Sequence, residues 1–202
     1  MNYQVPAAPL QYEQVIQKSR FITHIQRAED KTQAKAFIES IKAQYPDARH
    51  HCWAYIAGHP TATTAIGFSD DGEPQGTAGK PILNVLQHKH VGEIALVVVR
   101  YFGGIKLGAG GLVRAYSSSA SLAMDKLELQ TLVASKTFTL NLGYDLESKL
   151  KHLLESMHID IQQSEYTEQI SYTFDVPITD IQSLDDKLIQ MSAGKLRLSK
   201  PD

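Results

Sequence analysis

A chain of 202 residues with 43% hydrophobic and 21% charged content and 8 Pro is long enough for one large or two small domains with proper cores, and its composition excludes disorder, collagen and coiled coil. The longest apolar run, Ile94 to Val99, is six residues against the roughly 20 of a membrane-spanning helix, and the first residues, Met-Asn-Tyr-Gln-Val-Pro, carry no signal-peptide pattern, so a cytoplasmic protein with no membrane partner is expected. The formal charge of −2 divides into +2 over residues 1–130 (13 Lys+Arg against 11 Asp+Glu) and −4 over 131–202 (7 against 11), too mild for strong non-specific binding to nucleic acid but compatible with a local basic patch.

In chain order, alternation over Tyr12–Ile16 and Phe21–Ile25 predicts a hairpin turning near Lys18-Ser19-Arg20, and Asp30 caps a helix with the stripe Ala34, Phe37, Ile38 and Ile41 that ends before Pro46. His51–Ala57 reads as a strand. Gly67–Pro81, with four glycines and two prolines in fifteen residues, reads as a functional or disordered loop. Pro81–His88 reads as a short helix, Glu93–Phe102 as a central strand apolar on both faces, and Gly110 or Gly111 to about Lys126 as a helix. After residue 134 the pattern becomes regular: strand Lys136–Leu142, a helix capped by Asp145 with the stripe Leu146, Leu150, Leu153, Leu154 and Met157, strands Ile159–Glu165 and Gln169–Val176, a helix opened by Thr179 or Asp180, a stop at Gly194, and a last strand Lys195–Ser199. The fold class is therefore α+β in two domains, 1–130 and 135–202, the second a ferredoxin-like βαββαβ.

Eleven of the thirteen glycines lie between Gly58 and Gly111, and two glycine-rich segments there carry the candidate chemistry. In the first, Asp70, Asp71 and Glu73 with Lys80 form an acidic loop suited to a hard cation such as Mg²⁺ or to a partner. The plainer reading is an ordered turn in which Asp side chains accept from backbone amides. The second runs from a buried strand through Arg100, Gly103, Gly104, Lys106, Gly108, Gly110 and Gly111 into a helix bearing Arg114. Its glycines allow N–H groups to converge, and a helix start favours an anion, so a phosphate or RNA site is expected. The spacing matches no nucleotide-binding motif, and the plainer reading is close helix-to-strand packing. His50 and His51 alternate across a strand, so only one of them faces the loop cleft. Cys52, the single cysteine, reads as a small buried hydrophobe, and neither a disulfide nor a thiolate zinc site is available to it. No catalytic residue, cofactor or metal set is assigned.

Lys18-Ser-Arg-Phe-Ile22, Asp47-Ala-Arg-His-His-Cys52, Phe68 to Pro74, Gly76 to Pro81, Val97 to Gly104, Lys106-Leu-Gly and Gly110 to Tyr116 resemble, in that order, the YigZ/IMPACT family. The resemblance implies a first domain of the ribosomal-protein-type βαβ fold and a second similar to a ferredoxin-like domain of elongation factor G. It also implies a non-enzymatic role in translational control, in which eukaryotic relatives carrying an extra RWD domain act. Three functions stay open. The first is a regulatory protein contacting RNA, the ribosome or translation factors at the basic glycine loop. The second is an enzyme on a phosphorylated small molecule that uses Mg²⁺ there, and the third is a protein-interaction module.

Overall fold

The computed structural model describes residues 2–61 and 65–198, and the chain divides into two compact units after Leu132. The amino-terminal unit contains strands β1 (Tyr3–Pro6), β2 (Leu10–Ile16) and β3 (Ser19–Arg27), helix α1 (Lys31–Gln44), β4 (His50–Ile56), β5 (Ile66–Ser69), α2 (Gly79–Lys89), β6 (Ile94–Tyr101), α3 (Gly108–Met124) and β7 (Leu129–Leu132). Five strands form an antiparallel sheet in the order β2-β3-β6-β4-β5. The run that is apolar on both faces is thus the middle strand. Ala95, Val97 and Val99 meet α1 residues Ala34, Phe37, Ile38 and Ile41 on one side, whereas Ile94, Leu96 and Val98 meet Ile82, Leu83 and Leu86 of α2 and Leu112, Ala115 and Tyr116 of α3 on the other. Because β3 and β4 flank β6, the connection through α1 makes a split βαβ unit.

Local sequence signals match the observed elements in most places. Asp30 caps α1, its side chain accepting from Gln33 N–H at 2.8 Å, and the hairpin turns at Gln17 and Lys18, both with positive φ. The long glycine-rich loop is shorter than its composition suggests. Residues 66–69 pair with β4 as β5, and α2 starts at Gly79, leaving only 70–78 irregular. Gly67 belongs in that strand because a Cβ there would stand 2.5 Å from the Tyr55 ring. Helix α3 likewise begins at Gly108, ahead of Gly110 and Gly111. Strands β1 and β7, paired antiparallel from Tyr3↔Leu132 to Pro6↔Leu129, lie outside the elements expected from sequence.

The carboxy-terminal unit contains β8 (Ser135–Leu142), α4 (Glu147–Ser156), β9 (Ile161–Tyr166), β10 (Ile170–Pro177) and α5 (Ile181–Met191), with strand order β8-β10-β9. Both helices cover one sheet face, where Phe138, Leu140, Leu142, Ile170, Tyr172, Phe174 and Val176 pack on Leu150, Leu154, Leu184 and Leu188. Two expectations need correction here. Asp145 does not cap α4: it lies inside a 3-10 turn, Tyr144–Leu146, and its carboxylate folds back to Gly143, where a Cβ would be 2.5 Å from Oδ1. Asp180 stands at the N-cap of α5, the opening expected for that helix, although its side chain makes no cap bond and its Oδ1 accepts from the Thr179 hydroxyl. Lys195–Leu198 form no strand, although Leu196 is buried in the core; Ser199 lies outside the described residues. Among the described residues no helix is long and apolar enough to cross a membrane.

Candidate functional site

Strand alternation decides what faces the glycine loop. His50 pairs with Arg100, and Phe21 pairs with Arg100 from the other side, so these three residues share the α2/α3 face at one end of the sheet. His51 points the other way, with Nε2 3.0 Å from Tyr45 O. At this end a cleft of about 640 Å³ opens, lined by Asp47, Arg49, His50, Glu73, Pro74, Arg100, Tyr101, Phe102, Lys106 and the start of α3 through Leu112. The volume falls within the ~300–1,000 Å³ usual for small-molecule sites.

Arg100 is buried, 7% exposed, and is not a surface cation. Its Nη1 donates to Glu73 Oε1 at 2.6 Å, and the same oxygen accepts from Tyr116 Oη at 2.8 Å. The guanidinium lies 5.6 Å from the Phe21 ring centroid and 5.7 Å from that of Phe102, distances at which cation–π attraction acts. Its Nε is buried with no hydrogen-bond partner among the described residues. Burial, followed by Cys52 and then Glu73, pushes the Tyr116 hydroxyl far up, so it serves as a permanent donor. Burial likewise raises the Cys52 thiol, whose Sγ donates to Asp70 O at 3.0 Å. A thiol held protonated there packs as a small hydrophobe and is inert as a nucleophile.

The acidic loop is a structural device. Asp70 accepts from the N–H groups of Gly76, Ala78 and Gly79 at 2.8, 2.9 and 2.9 Å, so it caps the start of α2. Partial burial works to raise its pKa, but those three donors win and hold it below the ordinary carboxylate value. Asp71, at φ +38°, accepts from His51 N–H at 2.7 Å, and its carbonyl lies 2.9 Å from His50 Nδ1. With Glu73 on Arg100, the three carboxylates turn to three different partners, and no group of three metal-ligating side chains occurs among the described residues. Lys80 is exposed, 5.7 Å over the Phe68 ring, and does not line the cleft.

The basic glycine loop is built differently. Gly103 passes so close to the hairpin turn that a Cβ would stand 2.0 Å from the Lys18 carbonyl, and its N–H donates to Ser19 Oγ at 3.2 Å. Gly104 is exposed at φ +88°. Gly108 enters α3 at φ +69° with open space around it, a conformation that a side chain would strain. Gly110 and Gly111 follow inside the first turn. The residue preceding α3, Leu107, gives no side-chain cap, so the first turn of a 17-residue helix lines the cleft with no side-chain acceptor for its amides among the described residues, and with the partial positive charge of the helix end. Lys106 lines this end and Arg49 also lines the cleft, both exposed. Neither has an ion-pair partner among the described residues. Arg114 is exposed, stands 3.6 Å from the Cβ position of Gly110, and does not line the cleft. Asp47, the other acid of the lining, accepts from Tyr101 Oη at 2.7 Å, which raises the tyrosine pKa.

Of the residues expected from sequence, the cleft thus collects His50, Glu73, Arg100, Lys106 and Gly108, while Asp70, Asp71, His51, Lys80, Gly103, Gly104, Gly110, Gly111 and Arg114 are not in its lining. Arg49 and Phe102 are additions. Each sits beside a residue singled out from the sequence, and only the β4–β6 register, 50 residues apart at His50↔Arg100, shows that they share one cleft.

Comparison with known proteins places the chain. Residues 17–124 match the Impact N-terminal domain and residues 140–195 a domain of unknown function, DUF1949. The chain is 42% identical over 195 residues to an IMPACT family member of Haemophilus influenzae, covering 96% of this chain and 95% of that one. It is also 42% identical over 197 residues to the IMPACT family member YigZ of Escherichia coli, covering 98% and 97%. A crystal structure described as that of a hypothetical protein shares 40% identity and a TM-score of 0.75, covering 100% of this chain and 98% of that one. The chain belongs to the IMPACT family, and its fold is the two-domain α+β architecture expected for it.

Proposed function

We propose that this chain is a non-enzymatic regulatory protein of translation that holds a phosphate-bearing partner, RNA, in the cleft at the start of α3. The observation that carries this reading is the uncapped helix start beside Lys106 and Arg49, an arrangement that favours an anion. The translational setting comes from the family resemblance drawn from the sequence. The engagement of Asp70, Asp71 and Glu73 with protein partners favours binding over the Mg²⁺-dependent enzyme, since a cation site needs carboxylates that converge.

Sedimentation of the protein with ribosomal particles, at low and high salt and beside an Arg49→Ala/Lys106→Ala variant, tests the reading. Arg100 is left intact because removing it would strand Glu73 in the core. Co-migration at low salt that high salt and the variant both abolish is expected. With RNA in solution, each cation removed should lower the slope of log affinity against log salt by about one unit. Wild-type protein that stays at the top of the gradient at low salt would overturn the ribosomal setting.

A further inference from the structure

Phe102 is 56% exposed although it directly follows β6, whose residues 94–100 are buried. Burying such a ring would stabilise the fold, so its exposure forgoes that gain. Its surroundings are fixed. The Arg100 guanidinium over the ring is held by Glu73 at 2.6 Å and lies over the Phe21 ring as well, and Arg100 lines the same cleft, its buried Nε without a hydrogen-bond partner among the described residues. The cleft therefore joins a pre-positioned aromatic surface to a cationic end made by Lys106, Arg49 and the first amides of α3. An aromatic surface and an anion site in one cavity of about 640 Å³ match the two halves of a nucleotide, a flat base and a phosphate.

We infer that Phe102 is a stacking platform for an unpaired base, and that the cleft takes one nucleoside phosphate unit, from a single-stranded RNA or as a free nucleotide. This deepens the phosphate reading above and rests on it for the cationic end alone. Bases within a duplex are stacked on each other and cannot lie on the ring, so double-stranded RNA is excluded as the ligand of this cleft. Stacking on an aromatic side chain is sequence-tolerant, because every base has a flat face.

The test is fluorescence anisotropy of full-length protein with labelled single-stranded hexaadenylate RNA, the same strand lacking its bases, and adenosine monophosphate as competitor. Phe102→Leu should weaken hexaadenylate binding tenfold or more, Phe102→Trp should retain it, and the base-free strand should bind wild type and Phe102→Leu equally. The melting midpoint of Phe102→Leu should stay at the wild-type value, since the ring is exposed. Lys106→Ala should weaken both strands. Competition by adenosine monophosphate at the affinity of the strand assigns the site to a free nucleotide, and competition only at far higher concentration assigns it to RNA. If Phe102→Leu binds hexaadenylate like wild type while Lys106→Ala does not, stacking is overturned and the phosphate cleft stands. Absence of binding by both the labelled strand and a labelled adenosine monophosphate titrated directly overturns stacking and phosphate cleft together.

Discussion

Helices α2 and α3 both begin in glycine-rich loops on the same face of the amino-terminal sheet, yet their starts are chemically opposite. That of α2 is closed: Asp70 reaches across its loop and takes three amides. That of α3 is open, with Leu107 before it, glycine or alanine at its first four positions, and Lys106 beside it. Glycine richness therefore does not by itself mark a binding loop. The distinguishing feature is whether the chain supplies its own anion. Where it does, the loop is scaffold; where it does not, the helix start stays open to one from outside.

The largest effect that could break this contrast lies between the two loops, where Glu73 from the closed one neutralises Arg100 beneath the open one. Glu73→Ala leaves a buried guanidinium and the Tyr116 hydroxyl without their acceptor, and should cost roughly 3–5 kcal/mol, read as a shift in denaturant midpoint. A loss below about 1 kcal/mol would show that Arg100 reaches water and is a surface cation after all. Next comes the cap. Asp70→Ala should cost about 1–2 kcal/mol, whereas Lys106→Ala at the open loop should change stability by less than about 0.5 kcal/mol. The Asp70 contribution also has a pH signature. Because its folded pKa lies below the ordinary 3.8, its stabilisation is fully present above that value and is lost as pH falls through the lowered one. The gap in melting midpoint between wild type and Asp70→Asn should accordingly narrow only below about pH 4, and a gap that closes between pH 7 and 5 would remove Asp70 from the role of ionised cap.

These two caps also show what was legible in the sequence. Asp30 bonds an amide three residues on, a spacing visible along the chain, as is the buried stripe of α1. Asp70 bonds amides six to nine residues on, across a turn whose path depends on Gly72 and Gly76 at positive φ, so only the general habit of Asp in turns pointed to it. Arg100 carried a readable signal of another kind: a charged residue inside a strand apolar on both faces has to be buried and paired, although the partner 27 residues away is set by packing against α3. Strands β1 and β7 pair residues more than 120 positions apart, and neither alternates strongly enough to announce itself. In the carboxy-terminal unit, β10 alternates in and out because helices cover one face only, which is why its strands were clear. The expected Asp145 cap failed because a tight turn redirected one side chain.

A small gain in stability gives the sharpest test of the contrast. Ala109 is exposed, lies in the first turn of α3 and lines the cleft. Ala109→Glu would supply the open helix start with a carboxylate of its own, as Asp70 does for α2. Favourable interaction with the helix end should stabilise the fold by about 0.3–1 kcal/mol, a small rise in melting midpoint. The same carboxylate should weaken binding of any phosphate at that end, most strongly at low salt where charges are least screened. Stability and affinity would then move in opposite directions from one substitution. If affinity for single-stranded RNA is unchanged in Ala109→Glu while the midpoint rises, the carboxylate has reached the amides and the phosphate is bound elsewhere, so the open start of α3 would be only a helix end.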